Sequence, residues 1–296
     1  MNINDYINGD AGGVIDLLLN DEIFYVDKAG NKFSRGLAWN HCHDAFQKAS
    51  RSSGSFDCDA LAKELTVYLA NWGMYRGSSF LIWLDYRIHI EPVKMMMEKQ
   101  YLGLFDDGIL FSKDDYQKLL FGKDGIYRKL DQYYSPIHQK IRQQQKEEKK
   151  ELNSESDTLI TKILLGVFGC IPAYDTYVKK SLSLFSARQT LKCDGAAVSK
   201  KRGNLKSLWE LLWDDANNGT ELYKEIEKYR ENHSAYTFMK LADMYFFKLA
   251  ELVEDEIKSI VERKQENKED ADHIRKEQES KIKEAILKKY FKERIK

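Results

Sequence analysis

The chain is poor in the residues that punctuate β-rich folds. It has only three prolines and seventeen glycines in 296 residues, which argues against a turn-rich β-sandwich and for long helices. Its four cysteines, Cys42, Cys58, Cys170 and Cys193, form no CxxC pair and no dense framework, so neither a disulfide scaffold nor a thiolate metal site is expected. No run approaches eighteen apolar residues, so no membrane-spanning helix is expected. The opening MNINDYINGD lacks both the basic start and the apolar centre of a secretory signal, and with reduced thiols a cytoplasmic location is expected. There is also no net charge: 47 basic side chains balance 47 acidic ones. That excludes a uniformly basic nucleic-acid binder but leaves room for a local basic face.

What is present is helical periodicity. Apolar residues at Leu37, Ala38, Cys42, Ala45, Phe46 and Ala49 fall at helix spacing, as do Leu61, Leu65, Tyr68, Leu69 and Trp72. Asp57 or Asp59 can cap the second helix. Residues 78–104 read as a further apolar, helical stretch with Pro92 in a first turn, and 113–150 as helical and increasingly polar. An apolar helix follows, capped by Ser156 or Asp157 and ended before Pro172, and Asp175 opens the next. Helices are expected over 205–217, 219–232 and 236–254, with at most a small hairpin near 23–34. The reading is a single all-α domain over 1–254, with a charged connection near 140–156, followed by a charged C-terminal helix over 255–296. The final sixteen residues of that helix carry seven basic and two acidic groups.

Several residue groups invite chemistry. Asp175 at a helix start would be held ionised by end N–H groups, suiting it to stabilise developing positive charge; the plain alternative is an N-cap. In Trp72-Gly73-Met74-Tyr75-Arg76-Gly77-Ser78-Ser79, an Arg between glycines followed by Ser78 and Ser79 offers donors for phosphate or a base edge. Trp72, Tyr75 or Trp83 could stack on an extruded base, and close helix packing at the glycines is the alternative. Lys200, Lys201 and Arg202 are three consecutive cations suited to phosphate or to an ordinary surface loop. Asp85 and Arg87 are as well explained by an internal ion pair as by a site. His41 and His43 point about 200° apart on a helix, so they cannot share one ion, and no metal or cofactor is expected. No P-loop, GxGxxG or nucleophile elbow occurs.

The segment DTLITKILLGVFGCIPAYDTYVKKSL resembles the central part of the helix-hairpin-helix DNA glycosylase superfamily through Gly169, Pro172, Tyr174, Asp175, Thr176 and Val178. MKLADMYFFKLAEL is similar to that superfamily's closing helix. The resemblance covers residues 150–190, and 236–252 more weakly. It implies an all-α glycosylase-type fold, double-stranded DNA as partner and Asp175 as the catalytic carboxylate. The hairpin that normally supplies a Gly-x-Gly phosphate turn corresponds to ELNSESDT, which has no glycine. A Schiff-base lysine would be sought near Thr158, 17 residues before Asp175. Lys162, 13 before, sits about one turn later, so a monofunctional enzyme is implied, with Lys162 as a substrate contact. The block NWGMYRGSSFLIWLDYRIHI looks like one found in bacterial proteins and by itself points to no chemistry; with the glycosylase resemblance, a role to consider is excision of a modified base from invading phage DNA. A non-catalytic helical module that binds DNA or protein is the rival reading.

Overall fold

The computed structural model describes residues 10–52, 56–106, 113–145, 156–185, 208–212, 220–264 and 268–290, and it is mostly helical. Asp10 caps α1 (Ala11–Asn20) by accepting the Gly13 N–H. A two-stranded antiparallel hairpin, β1 (Phe24–Val26) and β2 (Lys32–Ser34), follows where a small one was expected. Asp27 closes its turn, accepting the N–H groups of Ala29 and Asn31. Next come α2 (Leu37–Arg51) and α3 (Cys58–Asn71), the latter capped by Asp57. Residues 78–104 are not one helix. Ser79 and Asp85 each cap a single 3-10 turn, Phe80–Trp83 and Tyr86–His89. Side-chain oxygens compete here with continuous helix hydrogen bonding, and only α4 (Ile90–Met96), with Pro92 in its first turn, is α-helical. The 3-10 turn Lys99–Phe105, α5 (Lys113–Phe121) and α6 (Ile126–Gln144) complete this part. Most of the expected charged connection lies outside the described residues.

At the centre is α7 (Asp157–Phe168), capped by Ser156 and buried at every position from Leu159 to Phe168. Such a helix must be covered all round, and it packs against α2, α3 and α6. Its last carbonyls are claimed by side chains from distant elements. Trp39 Nε1 donates to the Leu165 carbonyl at 2.8 Å, and His43 Nδ1 lies 2.9 Å from that of Val167. Gly169 ends the helix at φ +63°, where a Cβ would collide with Thr237, whose hydroxyl donates to the Gly169 carbonyl. Gly166 lets the Tyr68 ring lie against the helix. The Gly166/Gly169 pair therefore serves packing and termination.

After α8 (Thr176–Leu184) come α9 (Leu208–Leu212), α10 (Glu221–Glu231) and α11 (Phe238–Lys264), which packs on α1, α8 and α10. The expected boundary after Glu254 falls inside α11, with Val253 and Ile257 buried on either side of it. Beyond it lies the charged C-terminal helix, α12 (Lys268–Tyr290). It returns along α11 and reaches α8, burying Ile274, Ile282, Ile286 and Tyr290. These four stand eight, four and four residues apart, one face of a helix that is otherwise charged.

Candidate functional site

The loop joining α7 to α8 is fixed residue by residue. Thr161 Oγ1 accepts the Tyr174 N–H and Thr158 Oγ1 donates to the Tyr174 carbonyl, so both backbone groups of Tyr174 are tied to α7. Asp243, buried on α11, accepts the Ala173 N–H at 2.9 Å. The loop therefore delivers Asp175 to the N-terminus of α8 in one position. Its Oδ1 accepts the N–H groups of Tyr177 and Val178, both at 3.1 Å, which makes it the N-cap. Its Oδ2 faces the Lys162 ammonium at 3.8 Å.

Lys162 is buried on α7 and donates to the Trp72 carbonyl at 2.8 Å. Although it lies one turn later than a Schiff-base position would, the fold sets it beside the carboxylate. Burial and the neighbouring Asp243 push the Asp175 carboxyl above the ordinary carboxylate range, against the pull of Lys162 and the two N–H groups. Burial likewise pulls the Lys162 ammonium below the usual lysine range, aided by Arg35 and Arg76 and opposed by Asp175 and Asp243. Neither group fully compensates the desolvation of the other. A charged pair held at that disadvantage, with one carboxylate oxygen turned from the helix end, is a functional-site pattern.

Around the pair stand more cations. Lys240 is buried, pairs with Asp243 at 3.2 Å, and lies over the rings of Trp72 and Trp39 at 5.1 and 5.8 Å. Arg35, exposed, rests over Trp72 at 4.6 Å. Arg76 folds its guanidinium over Gly73, whose φ of +78° and missing Cβ leave the room. It is exposed and has no ion-pair partner among the described residues. Arg76, Trp72, Lys162 and Asp175 thus form one neighbourhood.

Other expected contacts are spent on structure. Ser79 Oγ donates to the Met74 carbonyl and caps Leu81. Tyr75 bonds His89, whose other ring nitrogen meets Tyr134 at 2.6 Å, so Tyr75 is held edge-on within the fold and not offered to a base. Trp72 already carries two cations over its ring, whereas Trp83 is exposed. Ser78 is exposed, with no bond tying it to the site. Asp85 and Arg87 pair with each other at 2.6 Å, which holds the Asp85 carboxyl at about 2. His43 is buried against Trp39 while His41 faces a groove of about 590 Å³ between β2, α2 and α3. Lys200, Lys201 and Arg202 lie outside the described residues. Sequence reasoning missed Arg35, Lys240 and Asp243. For the last two a signal existed: a Lys and an Asp three apart inside the apolar run FMKLADMYFF, where isolated charges need partners.

No family model, curated protein or solved structure matches this chain.

Proposed function

We propose that the protein is a DNA glycosylase-like hydrolase that cleaves the N-glycosidic bond of an extruded damaged or modified base, with Asp175 as its catalytic carboxylate and no covalent lysine. The observation that carries this reading is the half-buried Asp175, fixed by the Tyr174 and Ala173 anchors and facing Lys162, which in turn feels the charges of Arg35 and Arg76. Glycosidic cleavage develops positive charge on the sugar, and a carboxylate that cannot relax away stabilises it without reorganisation. The Oδ2 that Lys162 faces is also the oxygen able to accept a proton from an attacking water. The exposed guanidinium groups of Arg35 and Arg76 are suited to flanking phosphates. Resemblance of residues 150–190 to the helix-hairpin-helix glycosylases supports the same assignment, and a role against phage DNA carrying modified bases belongs to this proposal.

The rival, a helical DNA- or protein-binding module without catalysis, is favoured by one observation: Asp175 Oδ1 already has a complete structural role as a cap. A single experiment separates them. Duplexes and single strands carrying a panel of damaged and modified bases are incubated with wild type and Asp175→Asn, then probed for alkali-labile abasic sites. Asn keeps the cap, so the catalytic reading expects a folded variant slower by about 100- to 1,000-fold. Equal rates for the two proteins, or no abasic sites with wild type on any duplex or single strand, would sink it.

A further inference from the structure

The hairpin that precedes α2 is built against the usual logic of a small sheet. Two strands of three residues are marginal unless one face packs on a core. Here both faces are apolar and both face solvent. Tyr25 pairs across the strands with Phe33, their rings 6.1 Å apart, while Phe24 and Val26 occupy the opposite face. Ile23, Tyr25 and Phe33 are 91%, 66% and 55% exposed. An exposed cluster of this kind on a single projecting element has no folding reason.

Its charges point to the occupant. Lys28, Lys32 and Arg35 are exposed on or beside the hairpin, and Lys32 Nζ lies 4.6 Å over the Phe24 ring. The two carboxylates of the same stretch are engaged inside it. Asp27 holds the turn through Ala29 and Asn31, and Glu22 accepts from Ser34, from the Gly36 N–H and from Lys32. The surface offered outward is therefore aromatic faces flanked by cations. A second copy of this chain, which carries no net charge, would gain from the apolar area but little from the cations; bases with phosphates between them match both. The hairpin also leads directly into the site, because Arg35 follows β2 and rests on Trp72, whose carbonyl holds Lys162.

We propose that Tyr25 and Phe33 form a base-stacking platform for an unpaired nucleic-acid strand, with Lys28, Lys32 and Arg35 on its phosphates, so that the substrate presented to Asp175 is single-stranded or locally melted DNA. This deepens the hydrolase reading and rests on it for the identity of the site, but not for the binding itself.

The test uses the full chain and a fluorescent twelve-nucleotide single strand of mixed sequence, with the matched duplex beside it, in the wild type and in an Asp175→Asn background. Wild type should bind the single strand more tightly than the duplex, and more weakly as salt rises from about 50 to 200 mM. Tyr25→Ser and Phe33→Ser should each weaken single-strand binding by about 5- to 100-fold. The double change should abolish it. Since these side chains are exposed, the thermal transition should not move; if the double variant fails to fold, the two single variants decide. Unchanged affinity in both, or no preference for the single strand, would overturn the proposal. So would a wild-type dimer in sedimentation, or adsorption to anionic phosphatidylserine vesicles, that these changes abolish while strand binding stays. Single-strand binding lost with the aromatic residues in a protein that makes no abasic sites would leave the platform standing and remove the hydrolase reading.

Discussion

At the scale of single residues, the Asp175–Lys162 pair makes opposite demands on stability and activity. Burial raises the Asp175 carboxyl, so between the unfolded and native values the folded protein binds its proton more tightly than the unfolded chain does. The ionised form therefore costs stability above the native value, and that cost vanishes as pH falls. Asp175→Asn removes the cost and keeps the cap, so the melting temperature at pH 7 should equal or exceed that of wild type. A loss greater than about 1 kcal/mol would mean that the charge itself holds the loop. Activity carries the opposite sign, since a carboxylate acting ionised gives a rate that rises with pH through its own titration. Lys162 is among the groups that lower the Asp175 value. Lys162→Gln should therefore move the acid limb of kcat/KM to higher pH. A limb that stays in place would separate Asp175 from the titrating step.

At the scale of elements, packing between helices rests on positions whose identity a sequence pattern only half declares. Gly166 looks like an ordinary helix residue, yet a Cβ there would run into the Tyr68 ring of α3, whereas one at Gly103 would meet nothing. Gly166→Ala should cost about 1–3 kcal/mol through overpacking, and Gly103→Ala should stay within about 0.5 kcal/mol in the same urea titration. A second elemental join is the buried chain Tyr75–His89–Tyr134, which fastens the second 3-10 turn to α6. Desolvation holds the His89 imidazole down at about 3, and burial lowers His43 as well. For these groups the unfolded chain takes up a proton near pH 6.5 while the native state refuses it. Stability should be flat above pH 7 and fall by up to about 1.4 kcal/mol per pH unit and group as pH drops below roughly 6.5. Unfolding midpoints at pH 7, 6 and 5 check this, and His89→Gln should flatten part of the fall. An unchanged midpoint down to pH 5 would contradict the burial of a neutral imidazole.

At the scale of the whole molecule, what was legible in the sequence followed local rules. The helices α2, α3, α7 and α8, the caps Asp57 and Ser156, and the placement of Asp175 at a helix start all come from periodicity and capping within a few residues. The hidden parts were long-range. Asp243 reaches Ala173 across 70 positions and Lys162 reaches Trp72 across 90, and no spacing rule encodes either. Arg35 gave no signal because an exposed Arg after a strand is ordinary. The extent of packing along the C-terminal helix was hidden for a related reason. Its apolar residues are sparse when counted along the chain, but Ile274, Ile282, Ile286 and Tyr290 share one face and all meet the body.

Tyr290 packs near Phe185 and Tyr245, and its hydroxyl donates to Glu225, which also accepts the Ala11 N–H and pairs with Lys289. One carboxylate thus joins the first described helix, α10 and the last described residues. Truncation after Lys264 should accordingly remove more than a decoration. Four buried apolar side chains at about 1.5–3 kcal/mol each, an upper estimate, approach the whole stability of an ordinary domain. The expected outcome is a chain that loses its cooperative transition or melts at far lower denaturant than the full protein. Tyr290→Ala alone should cost about 3 kcal/mol, and Lys288→Ala, on the exposed side of the same helix, about nothing. If the truncated chain unfolds at the same denaturant concentration as the full one, α12 rests on the body without holding it. The expected division after Glu254 would then describe the energetics even though the helix itself crosses it.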